Sequence, residues 1–555
     1  MKAWLAWPII LIIFLTSPAF AQWEYGGKWI GNCTSGTGLA MVTDSLTGNT
    51  FVAWNRLNGG DHDIFIQCVD SAGYALWDEG GKTVYEDDNY TQWDVAALLD
   101  GEGGVFVVWS DYRHRPDERF ELYGQRLDNQ GNLLWNPEGM KLTADSTNHK
   151  SPQLYDDGHE GFIVVYENST DIGAQRVNSE GQILWDSTGI FLTKAPDYQC
   201  IPKTCRASES TFITIWADFR YSHDFDGDIY MQSFDLRGNI LWEADGIPAV
   251  HWSYSQGYLD YGHDVVADGQ GGAVVVWVDW RLLNIGNTVL FADRFSPQGQ
   301  SMWQVTGKQL GNEITNGALA CQVFRMRDGL MFLWEQNGGG FEATLTDYEG
   351  NFVWPDTVRT IDPHNTNENL VLAESDSVFV YVSISDEGGM HRLGSKIDLD
   401  GNQHWPNEPF IEDFPDLMQI TLDGTGGMIA SWRNLYRSSI EISRIYADGH
   451  VGGDTTTAIY NSDNQLPYAL KLWQNYPNPF NSSTTVRLQL DSKSDLSIDI
   501  FNILGQMVHT EKRLNYEPGD YSISLNLTGY PSGVYFIKIS TTSGYSDNIR
   551  ITLLK

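Results

Sequence analysis

The sequence predicts an all-β chain made of repeated four-stranded units followed by a smaller β-domain. Three observations carry this: a composition rich in glycine and aromatics, a tryptophan-marked repeat, and a shift of composition and charge after residue 451. With 55 Gly, 21 Trp and 13% aromatic residues among 555, the chain holds too many core formers for disorder and suits many strands joined by tight turns. Its length implies two or three domains with ample apolar material for cores. A net charge of −37 repels phosphate backbones and anionic lipid, which excludes nucleic acid and membrane surfaces as partners.

The first segment reads as an export signal. Lys2 precedes an apolar run over 5–15, and Ala19-Phe20-Ala21 gives the small-x-small pattern of a cleavage site, so residues 1–21 are expected to be removed. No later stretch approaches the ~20 apolar residues that a membrane-spanning helix needs, so no transmembrane anchor is expected.

From residue 22 the chain repeats. Trp77, Trp135, Trp185, Trp242, Trp303, Trp354 and Trp405 each follow a glycine-containing turn, at spacings of 58, 50, 57, 61, 51 and 51 residues. Upstream of each, an aromatic ends a β-branched run: Trp54, Trp109, Tyr166, Trp216, Trp277, Trp334 and Tyr381. The second unit shows the pattern best, with strands expected at 95–99, 105–109, 122–127 and 133–135 separated by turns at 100–104 and 128–132. Four-stranded units repeated this often match a β-propeller, with an open solenoid as the competing topology. The ends favour closure. The last unit, from about 417, reaches Asp448-Gly449 without a following Trp strand, while Trp23-Glu24-Tyr25-Gly26-Gly27-Lys28 nearly repeats Trp77-Asp78-Glu79-Gly80-Gly81-Lys82. The N-terminal strand is therefore expected to complete the final unit, giving an eight-bladed propeller over 22–451, or a seven-bladed one if a unit is degenerate.

Residues 452–468 have the Gly/Asp/Thr/Asn composition of a linker. From 470 onward the net charge is +1, against −38 for everything before it, which marks an independent module over 469–555. Alternating runs at 485–490, 496–501, 521–525, 534–540 and 549–553 predict a small immunoglobulin-like β-sandwich. Within this module stand Tyr476-Pro477-Asn478-Pro479-Phe480-Asn481, then Ile500-Phe501-Asn502-Ile503-Leu504-Gly505-Gln506, then Gly533-Val534-Tyr535-Phe536-Ile537-Lys538, and finally Leu553-Leu554-Lys555. In this order the four motifs closely resemble the type A C-terminal sorting domain of type IX secretion; Ser482-Ser483-Thr484 departs from it where a second proline is common. The resemblance implies export through the periplasm, recognition by the outer-membrane secretion machinery, cleavage near the linker, and release or attachment to the outer cell surface.

Candidate chemistry lies in the repeat. After the second strand, Trp109-Ser110-Asp111-Tyr112-Arg113, Trp216-Ala217-Asp218-Phe219-Arg220 and Trp277-Val278-Asp279-Trp280-Arg281 share a Trp-x-Asp-x-Arg pattern, shortened to Trp54-Asn55-Arg56 in the first unit. In such a unit the loops after strands two and four open on one face, so Asp111, Arg113, Asp218, Arg220, Asp279, Trp280 and Arg281 are candidates for a glycan or peptide site there. Recurrence at one register equally describes Asp–Arg pairs that brace each loop, and that reading carries more weight. Asp224, Asp226 and Asp228 stand at alternate positions, as a weak calcium site requires, although a plain loop accounts for them better and no other cofactor is implied. Cys200 and Cys205, nearest in sequence among five cysteines, are the candidate disulfide; five buried thiols is the alternative. Metalloprotease, serine-hydrolase and phosphate-loop signatures are missing. A glycosidase pair is invisible in sequence, because its carboxylate separation is spatial. The reading is a non-catalytic binding or adhesion protein with a polysaccharide or surface glycan as partner. A polysaccharide-degrading enzyme using Asp111, Asp218 or Asp279, and a structural surface-layer component, are the alternatives.

Overall fold

The computed structural model describes the chain apart from residues 1–22, 24–26, 37, 59, 88, 114–118, 145–146, 222–226, 250–261, 280–288, 312–317, 337–340, 363–368, 374–377, 386–390, 403, 406–408, 412–414, 448, 450, 452–470, 477–479, 491–492, 503–506, 518, 542–545 and 555. The expected signal segment and linker thus lie outside the described residues. Those described contain no helix, hence none long and apolar enough to cross a membrane. The chain divides into two units, Met1–Asp454 and Thr455–Lys555.

The first unit contains eight four-stranded antiparallel sheets among its described residues. The first is Leu39–Thr43, Thr50–Asn58, Asp61–Val69 and Lys82–Tyr85; the second is Gln92–Leu99, Val105–Asp111, Glu121–Leu127 and Met140–Lys141. Seven sheets are built from consecutive strands. The eighth takes Pro415–Leu422, Met428–Asn434 and Ser439–Ile445 from one end of the unit and Lys28–Asn32 from the other, with Lys28 opposite Ile442.

Second strands such as Val105–Asp111 and Ala273–Asp279 are buried at every residue, which explains why they read as unbroken apolar runs rather than alternations. Both faces of a middle strand are covered because the cores lie between successive sheets. Ile213 and Ile215 of the fourth sheet pack with Val275 and Trp277 of the fifth, and Ile429 and Ile442 of the eighth pack with Val52 and Trp54 of the first.

The second unit's pattern predicts a fourth strand at 133–135 that carries the repeat tryptophan, but the repeat tryptophans lie outside the fourth strands. Residue 133 makes only an isolated bridge to Leu127, and the laddered fourth strand is Met140–Lys141. The reason is a buried glutamine: Gln125 Oε1 accepts from the Trp135 amide (2.9 Å) and its Nε2 donates to Asn136 O (2.8 Å). The chain then turns through Gly139, whose φ of 75° and closeness to the Trp109 ring suit glycine. Freed from the ladder, each indole reaches the following sheet. Trp77, Trp135, Trp185, Trp242, Trp303, Trp354 and Trp405 donate Nε1–H to Asn129, Ser179, Leu236, Pro297, Tyr348, Leu399 and Ala447 carbonyls at 2.6–3.3 Å, and Trp23 donates to Ser71 at 3.0 Å.

A second link recurs in four sheets. Asp100 caps the turn between first and second strands by accepting from Glu102 and Gly104 amides, while its other oxygen accepts from Arg126 Nε (2.9 Å). Asp157–Arg176, Asp268–Arg294 and Asp423–Arg444 repeat the pair, and each arginine also donates to a carbonyl of the next sheet, Arg444 to Ser71 among them.

The second unit holds two antiparallel sheets, one of Lys471–Tyr476, Ser483–Leu490 and Gly519–Asn526, the other of Met507–Tyr516, Ser494–Asn502, Gly533–Thr541 and Ser546–Leu553. Their alternating inward residues, including Val486, Leu488, Ile498, Ile500, Ile523, Ile537 and Ile551, form one core. All five expected strands are present. Lys471–Tyr476 and Met507–Tyr516, unforeseen, are edge strands; the latter buries none of its residues fully and so lacks an apolar alternation.

Candidate functional site

The Trp-x-Asp-x-Arg residues form closed local structures. The Asp111 side chain is 0% exposed and receives four donors: Trp109 Nε1 (2.8 Å), the Arg113 amide (2.9 Å), Arg113 Nε (2.9 Å) and Arg113 Nη2 (2.7 Å). The guanidinium lies between the Tyr85 and Tyr123 rings, 3.9 and 3.8 Å from their centroids, and donates to Glu138 O. Burial alone would lower the Arg113 pKa; the Asp111 bonds outweigh it and raise the value. Asp218 repeats the arrangement with Trp216 Nε1 (2.8 Å) and Arg220, whose guanidinium covers Tyr230 and donates to Asp245 O. Asp279 is buried and accepts from Trp277 Nε1 (3.0 Å); Trp280 and Arg281 lie outside the described residues. At Asp111 and Asp218 both oxygens are saturated, so these carboxylates hold loop geometry and have no lone pair directed at a ligand.

Asp224 and Asp226 also lie outside the described residues, and no group of three metal-ligating side chains occurs among those described. Asp228 opens the strand Asp228–Asp235 directly opposite Asp218. Burial, and then the Asp218 charge, push its pKa up to about 6. A folded-state pKa above the unfolded value means a contribution fully present below about pH 4 and lost as pH rises through about 6. Asp228→Asn is therefore expected to raise Tm at pH 8 and leave it nearly unchanged at pH 4, read by thermal denaturation at both values.

No disulfide joins Cys200 and Cys205. Both are buried in the strand Gln199–Arg206 as separate thiols.

An open cleft of about 410 Å³ is lined by side chains from three sheets: Asp61 of the first, Tyr90 from the connection to the second, Trp93, Tyr112 and Phe120 of the second, and Asn148 and Lys150 at the start of the third. Connections after second and fourth strands build it, as the face argument implies, but its residues are not the Trp-x-Asp-x-Arg set. The aromatics support one another: Tyr112 and Phe120 centroids are 4.9 Å apart, Trp93 and Phe120 6.5 Å, and His62 backs Trp93 at 5.8 Å. Lys150 Nζ stands 5.2 Å from the Phe120 ring. Bulges after Trp93 and after Lys150 locally interrupt the first strands and re-aim both side chains. At these bulges Asp94 and Ser151 adopt φ of 48° and 53°, and Asp94 Oδ2 accepts from the Ser151 amide. Burial lowers the His62 pKa, so that ring is neutral at pH 7, and neither His62 Nε2 nor Trp93 Nε1 has a hydrogen-bond partner among the described residues.

In the second unit, Phe480 is buried and pairs through its backbone with Thr552 and Leu554, and Tyr535 is buried with its hydroxyl donating to Pro531 O. Gly533 opens the strand that carries Lys538 on its exposed side, and Asn481 is exposed. Tyr476 ends the strand Lys471–Tyr476; Pro477, Asn478, Pro479, Gly505 and Lys555 lie outside the described residues.

Residues 474–551 match the family model of a secretion system C-terminal sorting domain. No curated protein matches the chain. Solved structures similar to it include the polysaccharide lyase Uly1, 11% identical over 69% of this chain and 94% of that one with a TM-score of 0.43, and the ulvan lyase of a new polysaccharide lyase family, 10% identical over 76% and 96% with a TM-score of 0.41. The β-propeller domain of the trilobed protease from Pyrococcus furiosus is 9% identical over 69% and 99%, with a TM-score of 0.37. The sorting domain makes this an exported protein, secreted or attached at the cell surface, whose partner during export is the type IX secretion machinery.

Proposed function

We propose that the chain is a non-catalytic, surface-delivered saccharide-binding protein whose ligand lies in the cleft of Trp93, Tyr112 and Phe120. The observation that carries this reading is the cleft itself: mutually supported aromatic faces with Lys150, Asn148 and Asp61 in an open trough suit stacking on sugar rings with a few directional polar bonds. In this reading the eight sheets are blades of a closed propeller over 22–451. Tryptophan staples that pass from each sheet to the next, with Trp23 of the eighth donating into the first, support closure. Residues 1–21 act as a signal peptide, 452–468 as the cleaved linker and 469–555 as an immunoglobulin-like sorting sandwich. Saturation of Asp111 and Asp218 by structural donors supports binding over catalysis.

Removing one stacking face tests the assignment. Trp93→Ala in the chain from residue 22 is expected to weaken retention on the polysaccharide that the parent protein binds by at least about tenfold, or about 1.4 kcal/mol. Unchanged retention at unchanged Tm would place the ligand elsewhere.

A further inference from the structure

The shortened motif of the first sheet differs from its relatives in a way that creates a second opening. Where Arg113 and Arg220 each bind an aspartate bidentately, Arg56 follows Asn55, whose side chain is already engaged: Oδ1 accepts from the Gly38 amide (2.8 Å) and Nδ2 donates to Gln92 O (3.1 Å). The Trp54 indole, which in the relatives donates to that aspartate, donates instead to Asn32 O (3.1 Å). Among the described residues no carboxylate bonds to the Arg56 guanidinium. Asp63, the carboxylate with the largest influence on its charge ahead of Glu86, is held by Asn58 Nδ2 (2.9 Å) and the Asp87 amide (3.0 Å). Burial pulls the Arg56 pKa down, opposite to the rise at Arg113 and Arg220, yet an arginine stays cationic at any physiological pH.

The stacking partner on one side is missing too. Arg113 is sandwiched by Tyr85 and Tyr123, whereas among the described residues Arg56, like Arg220 on Tyr230, lies on a single ring, Phe65, 3.5 Å from its centroid. Register explains the gap. In the first sheet Lys82 pairs with Ile66 and Tyr85 with Ile64; in the eighth, Lys28 pairs with Ile442 and Gly31 with Ile440. Gly31 therefore stands where Tyr85 stands. It cannot carry a side chain, because a Cβ would come 2.3 Å from the Trp54 ring. The result is an open cavity of about 440 Å³ lined by Trp29, Asn32, Arg56, Phe65 and Glu79, with Glu79 exposed at its rim and Trp29 39% exposed.

We propose that Arg56 anchors a second ligand site in this cavity, which takes the carboxylate or sulfate of an acidic saccharide while the sugar ring lies on Trp29. A planar guanidinium with one face stacked and its donors uncommitted matches a two-oxygen anion, and an exposed indole beside it suits a pyranose. The saccharide part of this proposal rests on the function proposed above. The opposing charges are local, Glu79 in the cavity lining and Asp63 and Glu86 acting on Arg56, while carboxylates farther off than a Debye length of about 8 Å are screened at 0.15 M salt.

The test is titration calorimetry at 0.15 M NaCl on the chain from residue 22 with tetragalacturonate, a sulfated galactan tetramer, a neutral galactan tetramer and sodium sulfate. Both acidic tetramers are expected to bind at least tenfold more tightly than the neutral one. Arg56→Gln should abolish that preference, Trp29→Ala should weaken the acidic tetramers but not sulfate, and Trp93→Ala should leave the acidic preference intact while weakening the neutral tetramer. Because Trp29 is exposed, its variant reports on the site even where Arg56→Gln perturbs folding. Equal binding of acidic and neutral tetramers, or a preference that survives Arg56→Gln, overturns the site. Sulfate binding that needs Arg56, with no tetramer bound, overturns the saccharide occupant. Loss of neutral binding alone in Trp93→Ala, with the acidic preference gone only in Arg56→Gln, separates the two sites.

Discussion

Asp218→Ala is expected to destabilise the body of the protein by about 3–5 kcal/mol, the cost of leaving one partner of a buried ion pair alone. The Asp218 side chain is 0% exposed and that of Arg220 11%, so water cannot replace the lost bonds without opening the structure. The Trp216 indole N–H and the Arg220 amide lose their acceptor at the same time. If the first unit melts cooperatively, its size gives an unfolding entropy near 0.9 kcal/mol/K, and the shift is roughly 3–5 °C in Tm. Asp218→Asn keeps the shape and two acceptor directions and should cost less. Retention on polysaccharide below the melting range should be unchanged in both variants. Weakened binding at unchanged Tm would make Asp218 a ligand group and return the Trp-x-Asp-x-Arg residues to the site.

Deleting residues 22–32 is expected to have the largest effect. It removes Trp23 and Ile30, each 1% exposed, worth roughly 3–6 kcal/mol together by apolar burial. It also uncovers what they cover. Gly27 packs on the Trp432 ring and Gly31 on the Trp54 ring so closely that an added Cβ would fall 2.3 Å from either, so both indoles lose a flat backbone lid. The strand Ser439–Ile445 becomes an unpaired edge, open to association with other chains. Size-exclusion chromatography and thermal denaturation should show aggregation or a Tm loss larger than that of Asp218→Ala. A monodisperse protein with parental Tm would mean that the eighth sheet holds without its fourth strand.

These predictions follow from features of uneven visibility in the sequence. The tryptophan repeat was legible because each indole performs the same task in each sheet, and the near-identity of residues 23–28 and 77–82 leads into strands at matching places, Lys28 opposite Ile442 and Lys82 opposite Ile66. The tryptophan's place was not legible, since a buried side chain, Gln125 in the second sheet, takes over the backbone bond that a fourth strand would have made. The Asp–Gly turns at Asp100, Asp157, Asp268 and Asp423 recur visibly, but their arginine partners lie 19–26 residues away in the third strand. The cleft was least legible. Tyr90, Trp93, Phe120 and Lys150 come from separate strands and connections, and two of them are aimed by bulges that leave no simple periodic trace. The cavity at Arg56 was signalled only by an asparagine where its relatives carry aspartate.

The most direct test of the account is to incubate the chain from residue 22 with a panel of algal, plant and bacterial polysaccharides, measuring retention and new reducing ends in the same samples. Retention on at least one polymer without release of reducing ends is the predicted result. Release of reducing ends would contradict it and make the protein an enzyme.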